Sequence, residues 1–135
     1  MISLLEKDVV KSFRALILSL YPDSFDQKIH QDNVAGSGFP DLIFVIEGEV
    51  LFLEAKRLGQ KPSPKQEVVL TLLSTAGATA GVLEGGVDKK TFTLIPWNAP
   101  EEKVILDLQV RSADKLRTQI KEFIDACRRN GPRVD

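Results

Sequence analysis

The chain's elements run helix, strands, helix, strands, helix, and that order predicts a mixed α/β sheet with helices packed on it. Three observations carry the prediction. Apolar residues recur at helical spacing near both ends of the chain, two Val-, Ile-, Leu- and Phe-rich runs flank a Glu-Gly-Glu break, and a capped helix signal follows them. A helical bundle would lack the strand runs, and a β-sandwich would lack the helices.

Residues 2–20 read as the first helix, because Ile2, Leu5, Val9, Val10, Phe13, Leu16, Ile17 and Leu20 fall on one stripe. It stops at Tyr21-Pro22, since proline disfavours a helical residue before it. The stretch from Ser24 to Ala35 has a thin apolar pattern and holds one short strand before a glycine-rich turn. Asp41 to Glu47 and Val50 to Lys56 are the clearest strands. In "SPKQEVVLTLLSTAG", Ser63 caps a second helix, Pro64 takes its first position, and Gln66 completes a capping box. Gly77 ends that helix. Thr79 to Leu83 and Thr91 to Trp97 read as two more strands. Residues 98–110 fit either class. Ala113 to Arg129 reads as the last helix, with Leu116, Ile120, Phe123, Ile124 and Cys127 on one face.

At 135 residues one domain spanning 1–135 is expected. A hydrophobic fraction of 43% and a charged fraction of 27% are those of a globular chain, which excludes global disorder. No apolar run approaches a bilayer span, and Glu6, Lys7, Asp8 and Lys11 interrupt what would be a signal-peptide core. The lone Cys127 excludes an internal disulfide and a thiolate metal cluster. A soluble, intracellular, cytoplasmic protein without membrane partners is expected. The net charge of −1 argues against coating nucleic acid by bulk charge but leaves room for a local basic surface. Lys56 to Lys65 contains no acid at all, whereas acids are over-represented before residue 110. An acidic pocket beside a basic rim explains this segregation, as do separate solvated faces.

Charges inside the two clearest strands need a reason, since an unpaired buried charge costs several kcal/mol. Glu54 and Lys56 share a face, with Ala55 opposite. A two-residue turn at Glu47-Gly48 or at Gly48-Glu49 sets Asp41 opposite Glu54 or Lys56 respectively; either register gathers all three on one face. A three-residue loop would scatter them. Two carboxylates held that close need a proton or a cation between them. Oxygen ligands of this kind suit Mg²⁺ or Mn²⁺, which acidifies a bound water and neutralises charge on a phosphoryl oxygen. At about 100° per residue, Glu6 falls inside the first helix's apolar stripe, so it meets a cation, is neutralised, or reaches out at the helix end. An edge strand using charge against aggregation is the structural alternative for the hairpin cluster.

At these residues the sequence resembles the PD-(D/E)xK nuclease superfamily, with Pro40-Asp41 as its "PD" and Glu54-Ala55-Lys56 as its "(D/E)xK". The finer resemblance is to the VRR-NUC group of virus-type replication and repair nucleases. "GSGFPDLI" is similar to that group's G-x-PDL strand, "FLEAKRLGQKPSPKQ" to its E-x-K strand and following helix, and Glu6 to its acidic residue on a preceding helix. The resemblance covers roughly residues 5–84.

It implies a restriction-endonuclease-like mixed β-sheet flanked by helices, in the order α-β-β-β-α-β-β-α. The catalytic core would span about residues 1–97 and the C-terminal helix about 113–129. By the same resemblance, Asp41 and Glu54 bind Mg²⁺ or Mn²⁺, with the Ala55 carbonyl and Glu6 completing the set, and Lys56 is the catalytic lysine. Gln66 would orient Lys56 or the attacking water, although its capping role explains it equally. Products would carry 5′-phosphate and 3′-hydroxyl ends.

Gly36, Ser37 and Gly38 would permit a tight turn and close approach of DNA, with Arg57, Lys61 and Lys65 on phosphates. His30 and Trp97 read as packing residues before any DNA contact. The compact length resembles stand-alone phage and bacterial members that act as homodimers on branched DNA such as Holliday junctions. The acidic balance departs from that pattern and bears on DNA affinity more than on catalysis. The expected function is a metal-dependent DNA endonuclease. The alternatives are a catalytically silent nucleic-acid-binding or assembly domain and a nuclease subunit targeted by a partner.

Overall fold

The computed structural model describes residues 5–29, 38–88 and 90–131. Helix α1 spans Glu6–Leu20 and is followed by strands β1 (Phe25–Lys28), β2 (Leu42–Ile46) and β3 (Glu49–Lys56). Helix α2 (Pro64–Thr75) leads to β4 (Thr79–Gly85), β5 (Thr91–Pro96) and β6 (Val104–Asp107), and α3 covers Ala113–Arg129. The six strands form one sheet in sequence order. Neighbours are antiparallel except β3 and β4, which run parallel because α2 carries the chain back between them. The molecule is thus the mixed, helix-flanked α/β sheet that the sequence predicts, with one strand more than expected.

That extra strand is β6, in the stretch that reads either way. Its Val104 and Leu106 are buried while Ile105 is 52% exposed, so only two apolar side chains mark it. Pairing with β5 makes it a strand. Tertiary contact, not local propensity, decides such a short segment.

The β2–β3 hairpin closes on Glu47 and Gly48, whose φ values of 49° and 84° are those of a type I′ turn. Ile46 pairs with Glu49 and Leu42 with Leu53, so extending the ladder by one residue sets Asp41 opposite Glu54. This is the first of the two registers expected.

Strand alternation then divides the sheet. Leu42, Phe44, Leu51, Leu53 and Ala55 face the side where α1 and α3 bury Val9, Phe13, Ile17, Ile120 and Phe123. Phe13 meets Phe44 and Phe92 edge-on, at centroid distances of 5.5 and 5.7 Å. The other face packs Phe52, Ala80, Val82 and Trp97 against Leu70 of α2. Asp41, Glu54 and Lys56 belong to this second face by parity. Trp97 donates to the Thr71 hydroxyl at 2.9 Å and ties α2 to the sheet, a packing role. Two glycines let helices sit close. A Cβ on Gly81 would lie 2.8 Å from Phe123 of α3, and one on Gly85 would lie 2.4 Å from Val9 of α1. No described helix is long and apolar enough to cross a membrane.

Candidate active site

Asp41, in the residue before β2, and Glu54, near the end of β3, meet across the hairpin. Glu6 joins them from the first turn of α1, which approaches from the other face because Gly85 leaves room for Val9 one turn further on. One carboxylate oxygen from each of the three lies within 4.8 Å of the others.

Glu54 is 1% exposed. Its Oε2 accepts from Gln66 Nε2 at 3.0 Å and lies 3.8 Å from Lys56 Nζ, whereas its Oε1 is buried with no hydrogen-bond partner among the described residues. Burial pushes its carboxyl up to about 9, with the charge of Asp41 adding to the rise and Lys56 opposing it. Burial also raises Glu6, helped by Asp41 and opposed by Lys56 and Lys28. Asp41 Oδ2 accepts the Ala55 backbone N–H at 3.1 Å. This bond fixes the Ala55 backbone beside Asp41, and the Ala55 methyl is buried in the core that includes Val9 and Phe13 of α1.

Gln66 fills its capping role and also reaches into the carboxylate cluster. The Gln66 side-chain Oε1 accepts from Ser63 N–H at 2.8 Å, and Ser63 Oγ accepts from Gln66 N–H at 3.3 Å, which completes the capping box. The opposite end of the same amide donates to Glu54. Gly38 differs from the expectation. It is buried at φ 74°, and a Cβ there would meet the Lys65 carbonyl oxygen at 2.5 Å. The close approach it permits is that of α2's first turn, which brings Gln66 to Glu54. His30, Gly36 and Ser37 lie outside the described residues.

Arg57 and Lys61 lie on the connection from β3 into α2, and Lys65 lies in the first turn of α2. Lys61 and Lys65 are exposed and form no ion pair among the described residues. Glu84, the register partner of Lys56 on β4, accepts from Gly59 N–H at 3.4 Å and so touches the same connection. Lys28, Glu84 and Gly85 are site neighbours that the sequence pattern does not single out. Each matters only through a partner element, so no local signal marks it. A concavity of about 360 Å³ lined by Tyr21, Ile46, Glu47, Arg117, Lys121 and Arg128 lies at the far end of β2, by the Glu47–Gly48 turn.

The donor set fits a hard divalent cation: three carboxylates converge, and one buried oxygen has no hydrogen-bond partner among the described residues. The fold and the site together define an α/β protein with a carboxylate cluster and a lysine at one end of a hairpin. No protein-family model matches the chain, and none of the curated proteins compared with it does. Among solved structures it is similar to Hjc, a Holliday junction resolvase of the archaeal hyperthermophile Archaeoglobus fulgidus. Identity is 18% and the TM-score 0.48, over 75% of this chain and 89% of that chain.

Proposed function

We propose that the protein is a restriction-endonuclease-like, metal-dependent DNA endonuclease of the PD-(D/E)xK type, with VRR-NUC as its nearest group by motif. One observation carries the reading: a buried glutamate with an unpartnered oxygen stands among two further carboxylates and a lysine. A purely binding domain has no use for clustered carboxylates facing phosphate, because they repel it.

A bound Mg²⁺ or Mn²⁺ would supply Lewis acidity toward a phosphoryl oxygen and lower the pKa of a water. Asp41 and Glu54 would hold it, with Glu6 completing the set. Gln66 fixes the rotamer of Glu54, so the ligand is in place before the substrate arrives. Lys56, 3.8 Å from Glu54, would offset the charge that builds on the phosphorus centre as water attacks in line. The P–O3′ bond breaks, leaving a 3′-hydroxyl and a 5′-phosphate. Branched DNA as the preferred substrate comes from the motif resemblance. Cutting two strands of a junction needs two sites, which a homodimer supplies by symmetry.

The test is a gel assay of purified protein on four-way junctions, flaps and linear duplex, with and without Mn²⁺. Asp41→Asn and Lys56→Ala are each expected to lower cleavage by at least ~100-fold, with melting temperatures that still report a folded chain. Full cleavage by either variant would refute its assigned role, and cleavage of linear duplex as fast as of junctions would remove the branched preference.

A further inference from the structure

An anionic backbone approaching three carboxylates needs cations on both sides of them. Lys61 and Lys65 stand on one side, where the connection leads into α2. The edge strand supplies the other. Lys28 pairs with Leu42, the residue after Asp41, and Ile29 N–H donates to the Asp41 carbonyl at 2.6 Å. The end of β1 is thereby fixed against the residue that carries the first carboxylate.

Strand parity puts Lys28 on the same face as Asp26, which is ion-paired to Arg14 of α1. Two residues further along β1, Lys28 stands toward the start of α1, where its charge acts on Glu6. Lys28 is half-buried, and among the described residues its ammonium has no ion pair. A half-buried lysine whose charge reaches Glu6, and which forms no ion pair among the described residues, can take an incoming phosphate.

We propose that Lys28 is a phosphate-binding residue of this site, so that the substrate strand crosses the carboxylates from the end of β1 to the first turn of α2. The inference rests on the nuclease reading and adds to it the strand's path and a contact on the β1 side. It also answers the chain's acidic balance: the grip is local, Lys28 on one flank with Lys61 and Lys65 on the other, and needs no bulk positive charge.

The experiment measures binding of a fluorescent four-way junction in Ca²⁺ across a salt series, for wild type, Lys28→Ala and Lys28→Arg. Mn²⁺-dependent cleavage kinetics and the Mn²⁺-induced melting shift are read on the same proteins. Lys28→Ala is expected to weaken binding about 5- to 20-fold and to lower the slope of log K against log salt by about 0.7–0.9, the share of one phosphate contact. Its KM should rise with kcat nearly unchanged, and its Mn²⁺ melting shift should persist. Lys28→Arg should restore affinity and slope.

Affinity and slope equal to wild type in Lys28→Ala would overturn the proposal while leaving the nuclease reading intact. Loss of the Mn²⁺ shift together with DNA binding would also overturn it, since Lys28 would then be a prop for Glu6. A wild-type protein that neither binds nor cuts DNA would overturn both.

Discussion

Replacing Glu54 with glutamine should make the metal-free protein more stable, although it removes a group central to the site. Glu54 is 1% exposed, and burial beside Asp41 pushes its carboxyl up from 4.5 to about 9. Between those values the folded chain holds a proton that the unfolded chain has released. Stability therefore falls as pH rises across that window, by at most about 1.4 kcal/mol per pH unit. At about pH 8 the full difference would be about 5 kcal/mol. Relaxation of the site reduces it, and a gain on the order of 1–2 kcal/mol is expected. For a chain of this size that is a rise of about 3–8 °C in melting temperature.

Glutamine can still accept from Gln66 through its own carbonyl oxygen, so the hydrogen bond at 3.0 Å has a replacement. The assay is thermal unfolding of both proteins, metal-free, from about pH 5 to 9, repeated with millimolar Mn²⁺. The variant should show a flatter pH dependence and lose most of the Mn²⁺ shift. A variant that melts lower than wild type at about pH 8, with the same pH slope, would refute the claim that Glu54 is strained by burial.

Two more substitutions separate neighbouring roles. Gln66→Ala removes both a cap and the hold on Glu54, whereas Ser63→Ala removes only the cap, each costing about 1 kcal/mol from the helix. Cleavage should fall about tenfold in the first and stay near wild type in the second; an equal loss in both would mean that Gln66 acts only through α2. Gly85→Ala would press a methyl to 2.4 Å from Val9. It should cost about 1–3 kcal/mol and weaken the Mn²⁺ melting shift by moving Glu6 away; a normal shift in the variant would show that Glu6 follows the cluster regardless of α1.

Much of this was legible in the sequence because its signals are local. The Ser63–Gln66 box, the Glu-Gly break and the helical stripe of Val9, Val10, Phe13 and Ile17 depend on neighbours a few residues away. The gathering of Asp41 and Glu54 on one face followed from strand alternation once a two-residue turn was assumed. What was not legible depends on distant partners. Nothing in "FDQK" says that its lysine pairs with Leu42, the residue after Asp41, and only the β1–β2 ladder does. Gly38 reads as a turn glycine until α2 is seen lying against it. The β6 strand and the contact from Gln66 to Glu54 have the same origin: each needs two segments to meet before it exists.

The first turn of α1 has one more consequence. Leu5, at its cap position, offers no side-chain acceptor to the open amides there. Asp41 is pinned by a backbone amide and Glu54 by Gln66, but Glu6 rides on a helix end that opens at low cost. Two anchored oxygens and one yielding one make a claw rather than a cage. If the cluster takes a metal as proposed, such a claw would adapt to ions of different radius and could loosen its third finger without disturbing the sheet beneath.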